Sequence, residues 1–338
     1  MNTAEEITFD FYGLGVKVAS ELQDLLHDVR RDFSFFVKDV PQVASTLRII
    51  ADPGPRDRLP RLKAALQTPR NIVYRQGDDS YVDYFGRALL IYHATKRTYV
   101  VYCPDRDLAH EIAFLTILSQ VGEHLDAIGL HRVHALGMEI HGRAVLVLLP
   151  MGGGKTTLAL RLLGQAGVHL LSEDSPLISS DGMVHPFPLR IGVRVGDLPR
   201  DVPERYTRTI RRMEFGPKTL IDIEYFRDRL AGACPPGVIL LGERWLAGPS
   251  EVCPAPRSLA VKALVKNAVV GLGLYQGMEF LLERSSWEVL GKAGVALSRL
   301  RNCLALIRRS RVWRFAMGPD VEQTAQTLVD FIRDVNDW

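Results

Sequence analysis

The feature that most constrains this chain is the run Val145-Leu146-Val147-Leu148-Leu149-Pro150-Met151-Gly152-Gly153-Gly154-Lys155-Thr156-Thr157-Leu158-Ala159-Leu160. The aliphatic stretch reads as a buried strand, the glycines as a tight turn, and the segment after Gly-Lys-Thr as a helix. A strand, glycine turn and helix N-terminus in this order make an anion cradle. Backbone N–H groups point inward, glycines admit close approach, and the helix end carries about half a positive charge. Lys155 is then expected to reach the β- and γ-phosphates of a nucleotide and the Thr156 hydroxyl to ligate Mg²⁺, with Gly152, Gly153, Gly154 and Thr157 completing the loop. In G-x-x-x-x-G-K-[ST] the first glycine falls at position 149, where this chain has Leu149. The loop is therefore either distorted or closed by Pro150 and Gly152, and a glycine turn that binds nothing is the competing reading.

A second element adds to the first. An apolar strand, Val168-His169-Leu170-Leu171, ends in Ser172-Glu173-Asp174, which sets two carboxylates at a strand terminus. Beside a phosphate loop, one acid can hold a metal while the other takes a proton. The competing reading of the pair taken alone is an acidic loop or the cap of a following turn.

The surroundings bound the class. A length of 338 residues exceeds one usual domain, and 47% hydrophobic with 24% charged residues excludes a disordered or disulfide-framework chain. Residues 1–105 read as a small α+β module: extended segments at 7–11 and 16–19, a helix around Leu22, Leu25, Leu26 and Val29, then a meander of short strands at 72–75, 81–85, 89–93 and 98–103. The strand tyrosines Tyr81, Tyr84, Tyr92, Tyr99 and Tyr102 are expected to be cross-strand pairs rather than a base-stacking platform. Residues 106–338 read as an α/β nucleotide-binding domain. It opens with a helix over 107–130, capped by Asp105 or Asp107 and stopped by Gly129, followed by strands at 133–140 and 144–149, a helix at 155–163 and a strand at 169–172. Leu177 to Ser179 and Met183 to His185 flank the hairpin turn Asp181-Gly182.

The net charge of +3 gives no support to a nucleic-acid partner. The start of the chain is acidic, and no run approaches roughly 18 apolar residues, so the expectation is a cytoplasmic protein with no membrane segment. Cys103, Cys234, Cys253 and Cys303 lie far apart and are expected to be free thiols, mostly buried.

The run Leu130-His131-Arg132-Val133-His134-Ala135-Leu136-Gly137-Met138-Glu139-Ile140-His141-Gly142-Arg143-Ala144, the glycine loop and Leu170-Leu171-Ser172-Glu173-Asp174 together resemble the catalytic core of bacterial HPr kinase/phosphorylase and its relatives. The likeness covers about residues 106–195. His134, 21 positions before Lys155, matches the family histidine, while the acidic pair comes one residue later than in the HPr enzymes. The N-terminal module does not look like theirs, and the chain more closely resembles HPr-kinase-like proteins found beside peptide-modification or polysaccharide gene clusters. The resemblance implies a P-loop core of the phosphoenolpyruvate carboxykinase/HPr kinase type, with ATP and Mg²⁺ as nucleotide and metal. It further implies Lys155 and Thr156 as their holders, His134 at the phosphates, Glu173 as general base and Asp174 as the metal carboxylate. Leu149 and Glu173 depart from the family pattern, so the order of roles within the acidic pair stays open.

The implied activity is transfer of the γ-phosphoryl group to a hydroxyl, with a serine of a protein or peptide as acceptor. A small-molecule kinase of the same fold and a catalytically inactive nucleotide- or partner-binding module remain alternatives, and so does a homo-oligomer. His131 and His141 flank the His134 strand and are expected at the surface or as caps. Arg190 and Lys218 follow turn residues and could close on phosphate. Arg205, Arg208, Arg211 and Arg212, at helix-compatible spacing, and Arg308, Arg309, Arg311 and Arg314 form two basic clusters. Such runs are commonly solvated faces; as a functional surface, the first is expected to dock an acidic acceptor.

Overall fold

The computed structural model of the chain describes residues 5–150, 152–212, 216–269 and 286–334. It is a mixed α/β structure with several sheets, and its residues fall into two compact units. The first gathers the chain up to residue 124 together with 192–225, and the second holds most of the rest.

The first unit is built on an eight-stranded sheet. Its elements are β1 (Glu5–Phe11), β2 (Leu14–Ser20), helix α1 (Gln23–Asp32), β3 (Ser45–Ile50), β4 (Ala64–Gln67), β5 (Ile72–Gln76), β6 (Asp79–Asp83), β7 (Leu89–His93), β8 (Thr98–Tyr102) and most of α2 (Arg106–Ala127). Strand order is β1-β2-β3-β8-β7-β6-β5-β4, so the expected meander, β5 to β8, runs antiparallel, is extended at one edge by β4 and joins the parallel strands β3 and β2 at the other. Alternation along β1 sends Phe9 and Phe11 inward, where they meet Phe33 at ring-centroid distances of 5.7 and 5.5 Å. Tyr92 and Tyr99 stack across β7 and β8 at 4.2 Å, which is a cross-strand pair. Of the two cap candidates for α2, Asp105 is the one used: its Oδ1 accepts the Leu108 N–H at 3.1 Å. Gly129, with φ of 75°, ends the helix as expected.

In the second unit the chain forms β9 (His131–Arg132), β10 (Leu136–Ile140), β11 (Arg143–Leu148), α3 (Lys155–Leu163), β12 (Val168–Ser172), β13 (Leu177–Ile178) and β14 (Val184–His185). The strand expected over 133–140 is therefore two strands with a break at 133–135. Residues β15 (Ile191–Val193), β16 (Thr207–Arg212) and β17 (Gly216–Ile221) then make a separate three-stranded sheet, most of it in the first unit. The second unit closes with β18 (Pro236–Arg244), β19 (Glu251–Pro254), α4 (Arg257–Leu264), a π-helical turn at Val265–Val269, α5 (Ser286–Arg308), β20 (Arg311–Met317) and α6 (Val321–Asp334).

The six-stranded sheet of this unit has the order β12-β10-β11-β18-β20-β19, with β11, β18 and β20 mutually parallel at its centre. Central parallel strands are covered on both faces, which is why Val145 to Leu148 is an unbroken apolar run and not an alternating one. One face packs Leu146, Leu148, Ile239 and Leu241 against Leu264, Leu306 and Ile307.

Leu149 continues β11 into the core and is buried. It fits because β18 offers Gly242 opposite: a Cβ there would sit 2.0 Å from the Leu149 Cδ2. The leucine in place of a glycine at the loop entrance is thus matched by a glycine in place of a side chain on the neighbouring strand.

The segment 205–212 corrects the sequence reading. Arg208, Arg211 and Arg212 lie on strand β16, not a helix, and the Arg208 side chain, 9% exposed, is engaged by neighbouring carboxylates rather than presented to a partner. Its guanidinium pairs with Asp32 and Asp222, and its Nε is 3.5 Å from Asp28. Arg31 holds the other Asp222 oxygen at 2.6 Å and His110 the other Asp32 oxygen at 2.7 Å. Three carboxylates taken from water need this matching positive charge.

Two outcomes follow from this packing. Gly242→Ala should cost about 1–3 kcal/mol in denaturant unfolding by overpacking. Leu149→Ala in the same chain should recover part of that cost, because residues in contact couple; strictly additive losses would show that the two do not share the space. Arg208→Ala, which removes the cation shared by buried Asp32 and Asp222, should cost about 3–5 kcal/mol, whereas Arg211→Ala on the exposed side of the same strand should change stability little.

Candidate functional site

The glycine loop leaves the carboxyl end of a central parallel strand, the end at which open α/β sheets form clefts. Gly152 and Gly154 have φ of 73° and 93°, the left-handed region that side chains disfavour. Gly153 has no room for a Cβ, which would lie 2.8 Å from the Pro150 carbonyl oxygen. Its N–H donates to that same oxygen at 2.9 Å, so Pro150 closes the turn where the first glycine of the pattern is absent. Gly154 is the N-cap of α3 and brings no capping side chain, leaving the first-turn N–H groups aimed outward.

Lys155, Thr156, His134, Glu173 and Asp174 converge at the start of α3. The Lys155 ammonium is buried, 2.8 Å from His134 Nε2 and 3.6 Å from Asp174 Oδ1. His134 Nδ1 lies 3.1 Å from the same carboxylate oxygen, a polar contact not aligned as a hydrogen bond. An ammonium can only donate, so Nε2 must accept and the ring proton belongs on Nδ1, facing Asp174. The Thr156 hydroxyl donates to Glu173 Oε1 at 2.5 Å. Burial would push the Asp174 carboxyl up, but His134 and Lys155 outweigh it and hold the group below the ordinary carboxylate range.

Backbone bonds fix this arrangement. The break in the strand at 133–135 is spent on the site: Val133 N–H donates to Pro176 O at 3.0 Å, Ala135 N–H to Asp174 O at 3.1 Å, and His134 N–H to Asn267 O in the π-helical turn at 3.0 Å. A π turn inserted in a helix commonly marks a functional position. Gly137 on β10 lets the acidic segment come close, since a Cβ there would be 2.9 Å from Pro176.

The remaining candidates lie elsewhere. His131 is buried between Asp126 and Ser298, each at 2.8 Å, and Asp126 is also held by Arg299; it is a structural histidine and not the surface one expected. His141, with φ of 51°, sits exposed in the turn joining β10 to β11. Lys218 belongs to β17, where its side chain fills the space left by Gly192, and Arg190 directly precedes β15. Arg309 donates to the Asp181 carbonyl at 2.5 Å, and Arg314 lies over the Trp245 ring at 5.9 Å.

Sequence reasoning missed Arg244. Its Nη2 is 3.9 Å from where a Cβ of Gly154 would be, and its Nη1 donates to Gly318 O at 3.0 Å. The only signal was that a strand parallel to β11 must end on the same side of the sheet as the glycine loop, and the pairing of β11 with β18 has to be known to use it.

Met151 lies outside the described residues. Among the described residues no three His, Cys, Asp or Glu side chains are grouped to hold a metal, no helix is long and apolar enough to cross a membrane, and all four cysteines are free, with three of them buried. A scan against protein-family models and a search of curated proteins both return no match.

By carboxyl ¹³C NMR, with Asp174→Asn to assign the signal, Asp174 should titrate below the ordinary aspartate value. Lys155→Ala should move its midpoint upward, because the loss of a nearby cation disfavours the charged carboxylate. The contribution of this cluster to stability should be present at neutral pH and lost only as pH falls through that lowered midpoint.

Proposed function

We propose that the second unit is a phosphotransferase core of the phosphoenolpyruvate carboxykinase/HPr kinase P-loop type, which moves the γ-phosphoryl group of ATP to a hydroxyl, with serine of a peptide or protein as the favoured acceptor. The observation that carries the proposal is the convergence of a buried lysine, a hydroxyl and two carboxylates on a three-glycine loop at a helix N-terminus. That set matches what phosphoryl transfer asks of a protein: positioning and charge neutralisation, with little covalent chemistry.

The oxygen donors fit Mg²⁺. Thr156 Oγ1 and Glu173 Oε1 are hard ligands already side by side, and Mg²⁺ is usually held by one or two carboxylates plus substrate phosphates instead of an all-protein cage. Bound there, the ion would neutralise charge on the transferring phosphoryl group.

This contact pattern supports a division of labour opposite to the one implied by the resemblance. Glu173, joined to Thr156, stands on the metal side, and Asp174, joined to His134, stands on the proton side. An entering phosphate chain offers Lys155 charged oxygens in place of a neutral imidazole, a stronger hydrogen bond. His134 Nε2 is then released to accept the serine proton, and Asp174 stabilises the imidazolium that forms. The serine oxygen bonds to the γ-phosphorus as the bond to the bridging oxygen breaks, and ADP departs with that electron pair.

The test is incubation with γ-labelled ATP, Mg²⁺ and serine-containing peptides, followed by mass spectrometry for the gain of one phosphate. Lys155→Ala should abolish transfer. Thr156→Ala and Glu173→Gln should show defects that shrink as Mg²⁺ is raised, while Asp174→Asn should keep nucleotide affinity and lose roughly 10²- to 10⁴-fold in rate. If Asp174→Asn is the magnesium-sensitive variant, the roles stand as the resemblance implies. Transfer at parental rates in all four would remove this site from the chemistry.

A further inference from the structure

The outer edge of the eight-stranded sheet is β4, which pairs with β5 alone among the described strands. Its four residues, Ala64 to Gln67, are all exposed. A bulge at Ala65 interrupts the start of the strand, and from Leu66 onward the register with β5 is regular. Thr68 N–H donates to Asn71 O at 2.9 Å. Antiparallel alternation then turns the Leu66 backbone toward β5 as well and points the Gln67 N–H and C=O away from the sheet. Charge is concentrated at the same edge. Between Asp57 and Asp78 the sequence holds five cations, Arg58, Arg61, Lys63, Arg70 and Arg75, and no carboxylate. Arg58, Arg61 and Lys63, which lead into β4, are exposed and enter no ion pair among the described residues. The acids of β6, Asp79 and Asp83, are already held by His93 and Arg56, each at 2.9 Å.

We infer that the β4 edge receives an extended acidic peptide as an added strand. The inference concerns binding alone and does not rest on the phosphotransferase reading. An exposed edge offers backbone donors and acceptors to any strand, so charge and side-chain pattern must select the occupant. A second copy of this chain would bring the same cations to the same edge, and lysine beside an edge is a common guard against such self-pairing. An acidic strand is drawn in by the field that repels the copy. The sheet supplies the pattern. Ala64 lies opposite Tyr74, and the row continues through Tyr81 to Ile91 across β6 and β7. This row ends at the edge in a methyl group, so an apolar side chain on the incoming strand would extend it past Ala64, leaving alternate positions for acids. A single-stranded nucleic acid would be drawn by the same cations, but it needs open rings on which to stack. Tyr74 and Tyr81 are half-buried within the row, and Tyr92 and Tyr99 stack on each other.

The test is fluorescence anisotropy on the full chain, without ATP, using a labelled peptide of about eight residues that alternates glutamate and valine. It should bind, with an affinity that falls as salt is raised. In a strand the glutamate N–H groups lie on one edge and the valine N–H groups on the other. Of two peptides N-methylated on one set or the other, one should therefore bind about tenfold more weakly or worse and the other nearly as the parent peptide. Gln67→Pro removes the outward N–H without touching a bond to β5 and should lose binding to a similar extent, while Gln67→Ala, which keeps the backbone, should bind as the parent. Arg61→Glu combined with Lys63→Glu should lower the affinity and flatten its salt dependence. The N-methylated pair probes the same ladder from the peptide's side, so the question is decided even if the proline variant is poorly folded. No binding of the alternating peptide, equal binding of the two N-methylated peptides, or parental affinity in a folded Gln67→Pro protein would overturn the inference. Tighter binding of a thymidine oligonucleotide of equal charge would overturn it in favour of a nucleic-acid surface. None of these outcomes bears on the glycine loop.

Discussion

The candidate site of the second unit is organised around a buried cation. The Lys155 ammonium is almost out of solvent, and a charge in that position is tolerated only when matched by partners that have themselves been fixed. Its partners are a histidine from the break at 133–135 and a carboxylate from the end of β12. Neither is near Lys155 in sequence, so the fold must bring three chain segments to one point. The irregular features of the unit serve that need. The strand expected across 133–140 is interrupted so that its backbone can bind the acidic segment and the π-helical turn. Gly137 has no side chain so that Pro176 can approach. Regular secondary structure would have satisfied the same backbone groups but could not have held His134 against Lys155.

The loop itself shows how a sequence pattern can depart at one position while the turn is still closed. A glycine is ordinarily placed at the loop entrance so that the chain can turn tightly. Here the turn is closed by the Pro150 carbonyl accepting from Gly153, and the entrance residue is free to be a leucine that extends the core. The compensation lies at Gly242 on the adjacent strand, whose missing Cβ makes the space that Leu149 fills. Judged position by position, Leu149 is a defect in the motif; judged as a contact, it is one half of a matched pair.

What was legible in the sequence was what depends on neighbours along the chain. Strand, glycine turn and helix at 145–163 follow from local composition, and so do the α2 cap at Asp105, the stop at Gly129 and the hairpin around Asp181-Gly182. Glu173 and Asp174 could be named from the strand end that follows the loop and His134 from the resemblance, and the structure brings all three to the start of α3. What was not legible depends on pairing across long separations. The arginines of 205–212 have the periodicity of a helix face, yet Arg205 lies in a short 3-10 turn and 207–212 form a strand, with Arg208 drawn into a set of carboxylates on α1 and at Asp222. His131 looks like a surface residue until Asp126 and Ser298 are seen on its two nitrogens. Arg244 becomes visible only once β18 is known to run parallel to β11.

The position of Lys155 has a consequence for the order of events under the proposed chemistry. Under that chemistry the ammonium, whose three donors now face His134 Nε2 and Asp174 Oδ1, would move toward the charged phosphate oxygens and give up its weaker bond to the neutral imidazole. Without nucleotide, the imidazole that would take the acceptor's proton is occupied by a donor and cannot act as a base. With nucleotide, the anionic oxygens draw Lys155 away, and the same step that neutralises the phosphate exposes the base. Asp174, held ionised by its two basic neighbours, stays to orient the freed ring. Under the proposed chemistry the lysine would thus couple nucleotide binding to proton acceptance through a single side chain. Neither Lys155→Arg nor His134→Gln is then a conservative change. Arginine cannot withdraw from the imidazole along the same path, because its planar fork fixes the direction of its donors. Glutamine keeps an acceptor for Lys155 but has no titratable group to receive the proton. Both variants should therefore retain nucleotide binding better than they retain transfer.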